Sequence, residues 1–260
     1  ILRLDLNVPL SDGIITDTTR IDKIIPTINY LLKKNSKIII LSHIGRPKGK
    51  IVNKLSLRPV CDEIKKKINI DVKLITKSIR DILPSDLFEN SEEKVLMLEN
   101  IRFYKEEENG DENFGKHISC FGDLYVNDAF SCSHRAHSSI NQIPKFIPAY
   151  SGLQLNTEIN ALKKITTEIE RPITCVIGGS KISSKINVIK NLVNKLDNLI
   201  IVGGMANNIL EYKGFEIGNS IKEQNCKKII EEIFNLSKKK KCKIFYPEDV
   251  VVAKKLNGSP

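Results

Sequence analysis

The stretch LSHIGRPKG, Leu41 to Gly49, sets His43, Arg46 and Lys48 among glycines and a proline directly after the apolar run KIIIL. A buried strand has no use for three such cations, so they belong to a loop that meets a ligand. Similar endings recur along the first half of the chain. ILRLDL runs into Asp5 and Asn7, followed across a turn by Arg20 in DTTR. KVLML runs into Glu99, Asn100 and Arg102, and DLYVN runs into Asp128 and then SHRAH, with His134, Arg135 and His137. Ligands of parallel α/β sheets bind outside the carboxyl ends of the strands, and here every such end delivers an arginine. A guanidinium stays protonated near neutral pH, and its planar fork matches carboxylate and phosphate oxygens. Several gathered at one rim would repel one another unless an anion lay between them. The implied ligand is small and multiply anionic, and Gly45 and Gly49 let the backbone approach it. Singly, each residue has a blander reading: His43 as a structural histidine, an arginine as a surface ion pair, Asp17 as a helix cap. Cys132, His134 and His137 could suggest zinc, but no fourth ligand stands at a suitable spacing. The joint placement carries the inference.

The second half shows different chemistry. ITCVIGGSKISSK is a strand, two glycines, a lysine and then a helix. Bare amides at a helix start favour phosphate, Gly178 and Gly179 allow close approach, and Lys181 and Lys185 add charge one turn apart. LIIVGGMANN repeats the arrangement at Gly203 and Gly204. The pair would form a shelf for a nucleotide; the alternative is that paired glycines simply make tight turns. The spacing is not that of a Walker loop.

The elements that must position these residues alternate between apolar strand-like runs and segments of helical period. Ile21, Ile24, Ile25, Ile28, Leu31 and Leu32 recur every three or four residues, and further helices are expected over about 57–67, through Phe114 and Ile118, and over about 153–167. Runs apolar on both faces and separated by helices predict parallel sheets, an α/β fold of two Rossmann-like domains joined by a helix. IPKFIPAYSG reads as punctuation between them, and KIFY and VVV as the last strands. The expected domains are 1–152, a connecting helix 153–170, and 171–260, with the second domain incomplete. The opening Ile1 suggests that the natural N-terminus is missing. Of 260 residues 41% are hydrophobic, enough for a sizeable core, and no apolar run reaches membrane-spanning length. Six scattered cysteines without a Cys-x-x-Cys pair point to a reducing cytoplasm. The net charge of +10 suits an anionic partner. A nucleic-acid binder would interleave aromatics with a basic stripe, and this chain has no tryptophan and no such motif.

RLDLNVPL, DTTRIDKIIPTINYLL, IIILSHIGRPKG, LMLENIRFYKEEENGD, YVNDAFSCSHRAHSSI, GGSKISSKINVIKNLVNKLDNLIIVGGMAN and YPEDVVVA together, in this order, closely resemble the phosphoglycerate kinase family. The resemblance implies a monomeric, hinge-bending glycolytic enzyme that transfers a phosphoryl group reversibly from 1,3-bisphosphoglycerate to ADP, with magnesium, giving 3-phosphoglycerate and ATP. It implies that Asp5, Asn7, His43 and Arg46 hold the glycerate end, and that Arg102 and Arg135, with His134 nearby, grip the phosphate that stays. Arg20 and Lys181 would reach the transferred group. Gly179, Ser180, Lys185, Gly203 and Gly204 would line the nucleotide side. Ser180 stands where the family usually has alanine, and Val202 replaces a frequent glycine. FSCSHRAH differs from the family before its histidine. No residue is assigned to the metal, because the family's later aspartate and its ribose-binding glutamate are absent from these 260 residues. A second reading is therefore a chain that captures 3-phosphoglycerate without turning it over.

Overall fold

A computed structural model describes residues 1–89 and 92–253. The strands in chain order are β1 (Leu2–Leu4), β2 (Leu10–Ser11), β3 (Ile14–Ile15), β4 (Ile38–Leu41), β5 (Val72–Ile75), β6 (Val95–Leu98), β7 (Tyr125–Asp128), β8 (Ala149–Ser151), β9 (Thr174–Gly178), β10 (Asn198–Val202) and β11 (Lys243–Phe245). The helices are α1 (Thr19–Lys33), α2 (Arg58–Ile68), α3 (Lys105–Asn109), α4 (Glu112–Ser119), α5 (Leu153–Thr166), α6 (Ile186–Val193), α7 (Gly204–Tyr212) and α8 (Lys227–Lys240). Two compact units divide within α5, between Asn160 and Ala161. None of the described helices is long and apolar enough to cross a membrane.

The first unit is a six-stranded parallel sheet in the order β5-β6-β4-β1-β7-β8. Its two-residue side-chain period separates two apolar layers. Leu2, Leu4, Ile38, Ile40 and Met97 pack with Ile21, Ile24 and Ile28 of α1 and Val60 and Ile64 of α2. Ile39, Leu41, Leu96 and Leu98 pack on the other face with Phe114 and Ile118 of α4. Asp111 caps α4, its Oδ1 accepting from the Phe114 amide at 2.8 Å, and just ahead of α1 Asp17 Oδ1 accepts from the Thr19 amide at 2.7 Å.

Two local expectations are corrected, and one feature is new. Within IPKFIPAYSG, read as punctuation, Ala149–Ser151 forms the edge strand β8, paired in parallel with β7. Its hydrogen bonds come from a neighbour distant in sequence, and no local pattern announces them. Val250–Val252, read as a strand, are exposed and outside any regular element. The segment after Leu10 makes a small antiparallel hairpin, β2-β3, turned by Asp12 and Gly13 at φ 49° and 80°.

Chain order within the sheet sets up the site. β1 connects onward to β4 on one side, whereas its neighbour β7 connects to β8 on the other. Connections leaving adjacent strands in opposite directions open a crevice at their carboxyl ends.

The second unit is a parallel sheet in the order β11-β10-β9. Each crossover proceeds in the same direction, so right-handedness puts the helices on one face. Leu199 and Ile201 are buried there with Ile189, Val193, Met205, Ile209, Ile230 and Ile233. The opposite face is bare, with Val176 63% and Phe245 48% exposed.

Candidate active site

At the β1/β7 crevice, Asp5 follows β1 and binds both Arg20, from the first turn of α1, and the Ser131 hydroxyl, from the loop after β7. With Lys23, Gln154 and Glu158 these residues line a cavity of about 150 Å³. Two further contacts stitch the neighbouring strand ends together. The Ser42 hydroxyl donates to Leu4 O at 2.8 Å and accepts from the Leu6 amide at 3.1 Å. Asn7 Oδ1 accepts from the Gly45 amide at 2.8 Å, while Gly45 O accepts from Arg102 Nη1 at 3.0 Å. Gly45 holds φ 64°, and a Cβ there would stand 2.7 Å from Leu55 Cδ2, so a larger residue would be strained in this bridge between Asn7 and Arg102 and would push Leu55 aside.

Arg102 is 5% exposed, and its Nε has no hydrogen-bond partner; Glu108 is 3.8 Å away. A buried guanidinium with an unused donor is an invitation to an anion. Arg135 is exposed, yet close enough to act electrostatically on both Arg102 and His43. Arg46 and His134 are exposed and make no hydrogen bond or ion pair to this group.

His43 does not behave as the cation its loop suggests. It is 3% exposed, and Arg3 Nη2 donates to its Nδ1 at 3.1 Å. Burial foremost, then Arg3, Arg102, His137 and Arg135, push its pKa down to about 2. Oxygen, nitrogen and sulfur atoms of Asp5, His43 and Cys132 lie within 4.8 Å of one another, a set with metal-ligand chemistry. Arg3 engages the ring's lone pair and the surrounding charge is positive, so the set suits an anion better. This grouping takes Cys132 without His134 or His137, the companions considered for zinc in the sequence.

Asp128 also lines the cavity at the β1/β7 crevice, but its carboxylate is committed to the scaffold. It is 2% exposed, accepts from Thr27 Oγ1 at 2.5 Å and from the Leu155 amide at 2.7 Å, and so caps α5 from the end of β7. Asn100 is likewise spent on scaffolding, donating to Ile44 O and Leu55 O at 2.9 Å each. Sequence reasoning missed Arg3, Glu107, Ser131 and Ser139. Arg3 alone carried a signal, as the one charge between Leu2 and Leu4 in a strand whose neighbours are apolar.

In the second unit the two glycine turns touch: the Met205 amide donates to Gly179 O at 2.8 Å, and a Cβ on Gly204 would lie 3.2 Å from that oxygen. The turns of Gly179 and Gly203 do sit side by side, with Ser180, Lys181 and Lys185 exposed. The helix begins later than expected. A 3₁₀ turn, Ser183–Lys185, precedes α6, so Lys181 lies in the loop and does not share a helix face with Lys185. Glu223 already occupies this helix start, accepting from the Ser183 amide at 3.0 Å and from its hydroxyl. Those bonds hold its carboxyl below the usual range.

The family model described as phosphoglycerate kinase matches residues 1–260. The chain belongs to the phosphoglycerate kinase family. It is 44% identical over 253 residues to the phosphoglycerate kinase of Wolbachia pipientis and 43% over 256 residues to that of Dictyoglomus turgidum. These matches take in 97% and 98% of this chain but only 63% and 64% of the relatives' lengths. The solved phosphoglycerate kinase of Coxiella burnetii superposes with a TM-score of 0.85 at 34% identity, covering 98% of this chain and 64% of that one. That of Pyrococcus horikoshii gives 0.75 at 26% identity, covering 91% and 60%.

Proposed function

We propose that this chain carries the acid-binding part and the first portion of the nucleotide-binding part of an enzyme that moves a phosphoryl group between 1,3-bisphosphoglycerate and ADP. The observation that carries this reading is the set of positive groups along the carboxyl-end rim of the first sheet, with Arg20 at the β1/β7 crevice and Arg102, after β6, buried with an Nε that has no hydrogen-bond partner. In this reading Arg102 and Arg135 hold the phosphate that stays, Asp5 and Asn7 hold the glycerate hydroxyl and backbone, and His43 donates to an acid oxygen. Arg46 and His134 join through movement of their exposed side chains. Arg20 and Lys181 neutralise the transferred group. Catalysis of this kind is mostly positioning and charge neutralisation. Gly179, Ser180, Lys185, Gly203 and Gly204 serve the ADP or ATP phosphates. The two glycine turns carry no carboxylate, and Glu223 beside them is already bonded to Ser183, so these residues do not fit a magnesium ion. The setting is a monomer in the cytoplasm, acting on small molecules and not on nucleic acid or membrane.

Titration calorimetry with 3-phosphoglycerate and, separately, with ADP tests the reading. We expect the acid to bind, and Arg102→Ala to weaken it by about 10- to 100-fold, the loss of a charge-assisted hydrogen bond worth roughly 1.5–3 kcal/mol. Absence of acid binding by the unaltered chain would overturn the proposal.

A further inference from the structure

Arg3 is wholly buried in the central strand of the first sheet, where a guanidinium costs several kcal/mol unless it is paired and bonded. Alternation puts it on the face opposite Leu2 and Leu4, toward α3 and a wide helical turn at Ser138–Gln142. Its Nε donates to Ser139 Oγ at 2.9 Å, Nη1 to Leu4 O, and Nη2 to His43 Nδ1 at 3.1 Å. Behind it Glu107, also wholly buried, accepts from the Ser139 hydroxyl at 2.6 Å and from the Ser139 amide at 2.8 Å. Tyr125 Oη fixes the same turn by donating to Ser139 O at 2.6 Å. His137 Nδ1 stands 3.6 Å from the Glu107 carboxylate. A bonded line therefore runs from Glu107 through Ser139 and Arg3 to His43, charge-balanced within itself and ending at the rim.

A guanidinium can only donate. Nδ1 of His43 must accept from it, which leaves the proton on Nε2. We propose that Arg3 is a positioning residue for acid binding: through the Glu107–Ser139–Arg3 line it orients the His43 ring and holds it as a neutral Nε2–H donor for an anionic substrate oxygen. The inference rests on the proposed acid site. It goes beyond that site by assigning a role to residues that lie beneath it. The other groups facing the ring are Asp5 and Cys132 at the rim and Arg102, Arg135 and His137 around it. With three guanidiniums already present, a neutral donor adds a directed bond without a further repelling charge.

The test is nitrogen-15 NMR of the histidine rings, combined with calorimetric titration of 3-phosphoglycerate, on the chain and on Arg3→Lys, His43→Gln and the double variant. An ammonium keeps the charge but cannot reach Ser139, Leu4 and His43 together. We expect the unaltered His43 to show the Nε2–H tautomer throughout pH 5–8, and Arg3→Lys to show an Nδ1–H population. Each single variant should weaken acid binding by about tenfold, near one hydrogen bond's worth, and the double no more than His43→Gln alone. An Nδ1–H ring in the unaltered chain, an unchanged tautomer in Arg3→Lys, or additive losses in the double variant would overturn the proposal. If Arg3→Lys does not fold, the tautomer of the unaltered chain still decides. An unaltered chain that shows the expected tautomers but binds no acid refutes the site reading and leaves the positioning of His43 standing.

Discussion

Histidine 43 shows how far a residue's surroundings can move its chemistry. A ring that is neutral when folded and ordinary when unfolded takes up its proton only on unfolding, over the range from pH 6.5 down to about 2. The unfolded state binds more protons there, so the stability His43 contributes is intact above pH 6.5 and is lost as the pH falls below it, by up to about 1.4 kcal/mol per pH unit. Glu107 acts in a lower window. Burial alone would raise its pKa, but His137, Arg3 and Ser139 outweigh burial and hold it low, so its contribution goes only below the ordinary carboxylate range. Between pH 6.5 and 5 the histidine effect is separate from that of Glu107. Urea midpoints measured across that interval should fall more steeply for the unaltered chain than for His43→Gln; equal slopes would refute the neutral buried ring.

At the level of elements, the first unit relies on side chains from one strand end to fasten the next segment. Asp128 at the end of β7 seats the first turn of α5, with Thr27 of α1 as the third member. Gly152 is packed so tightly against it that a Cβ would fall 2.2 Å from the Asp128 carboxyl carbon. Asp128→Ala leaves the Leu155 amide and the Thr27 hydroxyl without their acceptor in a buried place. We expect a loss of roughly 1–3 kcal/mol in urea unfolding of the first unit. Acid binding should fall much less than in Arg102→Ala, since the Asp128 oxygens are already taken by Thr27 and Leu155. A stability within 0.5 kcal/mol, roughly the range of an ordinary surface change, would show that α5 does not depend on this cap.

For the molecule as a whole, the proposed sites in the two units would meet anions in opposite ways. In the proposed reading the first would use guanidiniums, with bonds that match oxygens in number and direction; the second would use backbone at paired glycine turns, with lysine as a mobile point charge. Arg20 is tied to Asp5 at rest, whereas Lys181 is exposed and free of ion pairs among the described residues. In a chain of the full length of its relatives, Arg20→Ala or Lys181→Ala should reduce turnover by orders of magnitude, about what loss of one positioned charge costs in phosphoryl transfer. Thermal midpoints should hardly move, because both side chains are exposed. Near-normal turnover in both variants would refute their assignment to the transferred group.

Periodicity and strand endings made much of this legible in the sequence. Ile21, Ile24 and Ile28 marked the buried face of α1, the apolar runs marked parallel strands, and Asp5, Arg20, His43 and Arg102 marked one rim, because these depend on residue type and local spacing. Three things depended on partners distant in the chain. β8 exists because β7 offers it a ladder, Asp128 turned inward because α5 needed a cap, and His43 lost its charge because folding buried it and then set Arg3 beneath it. Side-chain identity states what a group can donate or accept. Only the assembled sheet settles which of those bonds are already taken, and so what remains for a ligand.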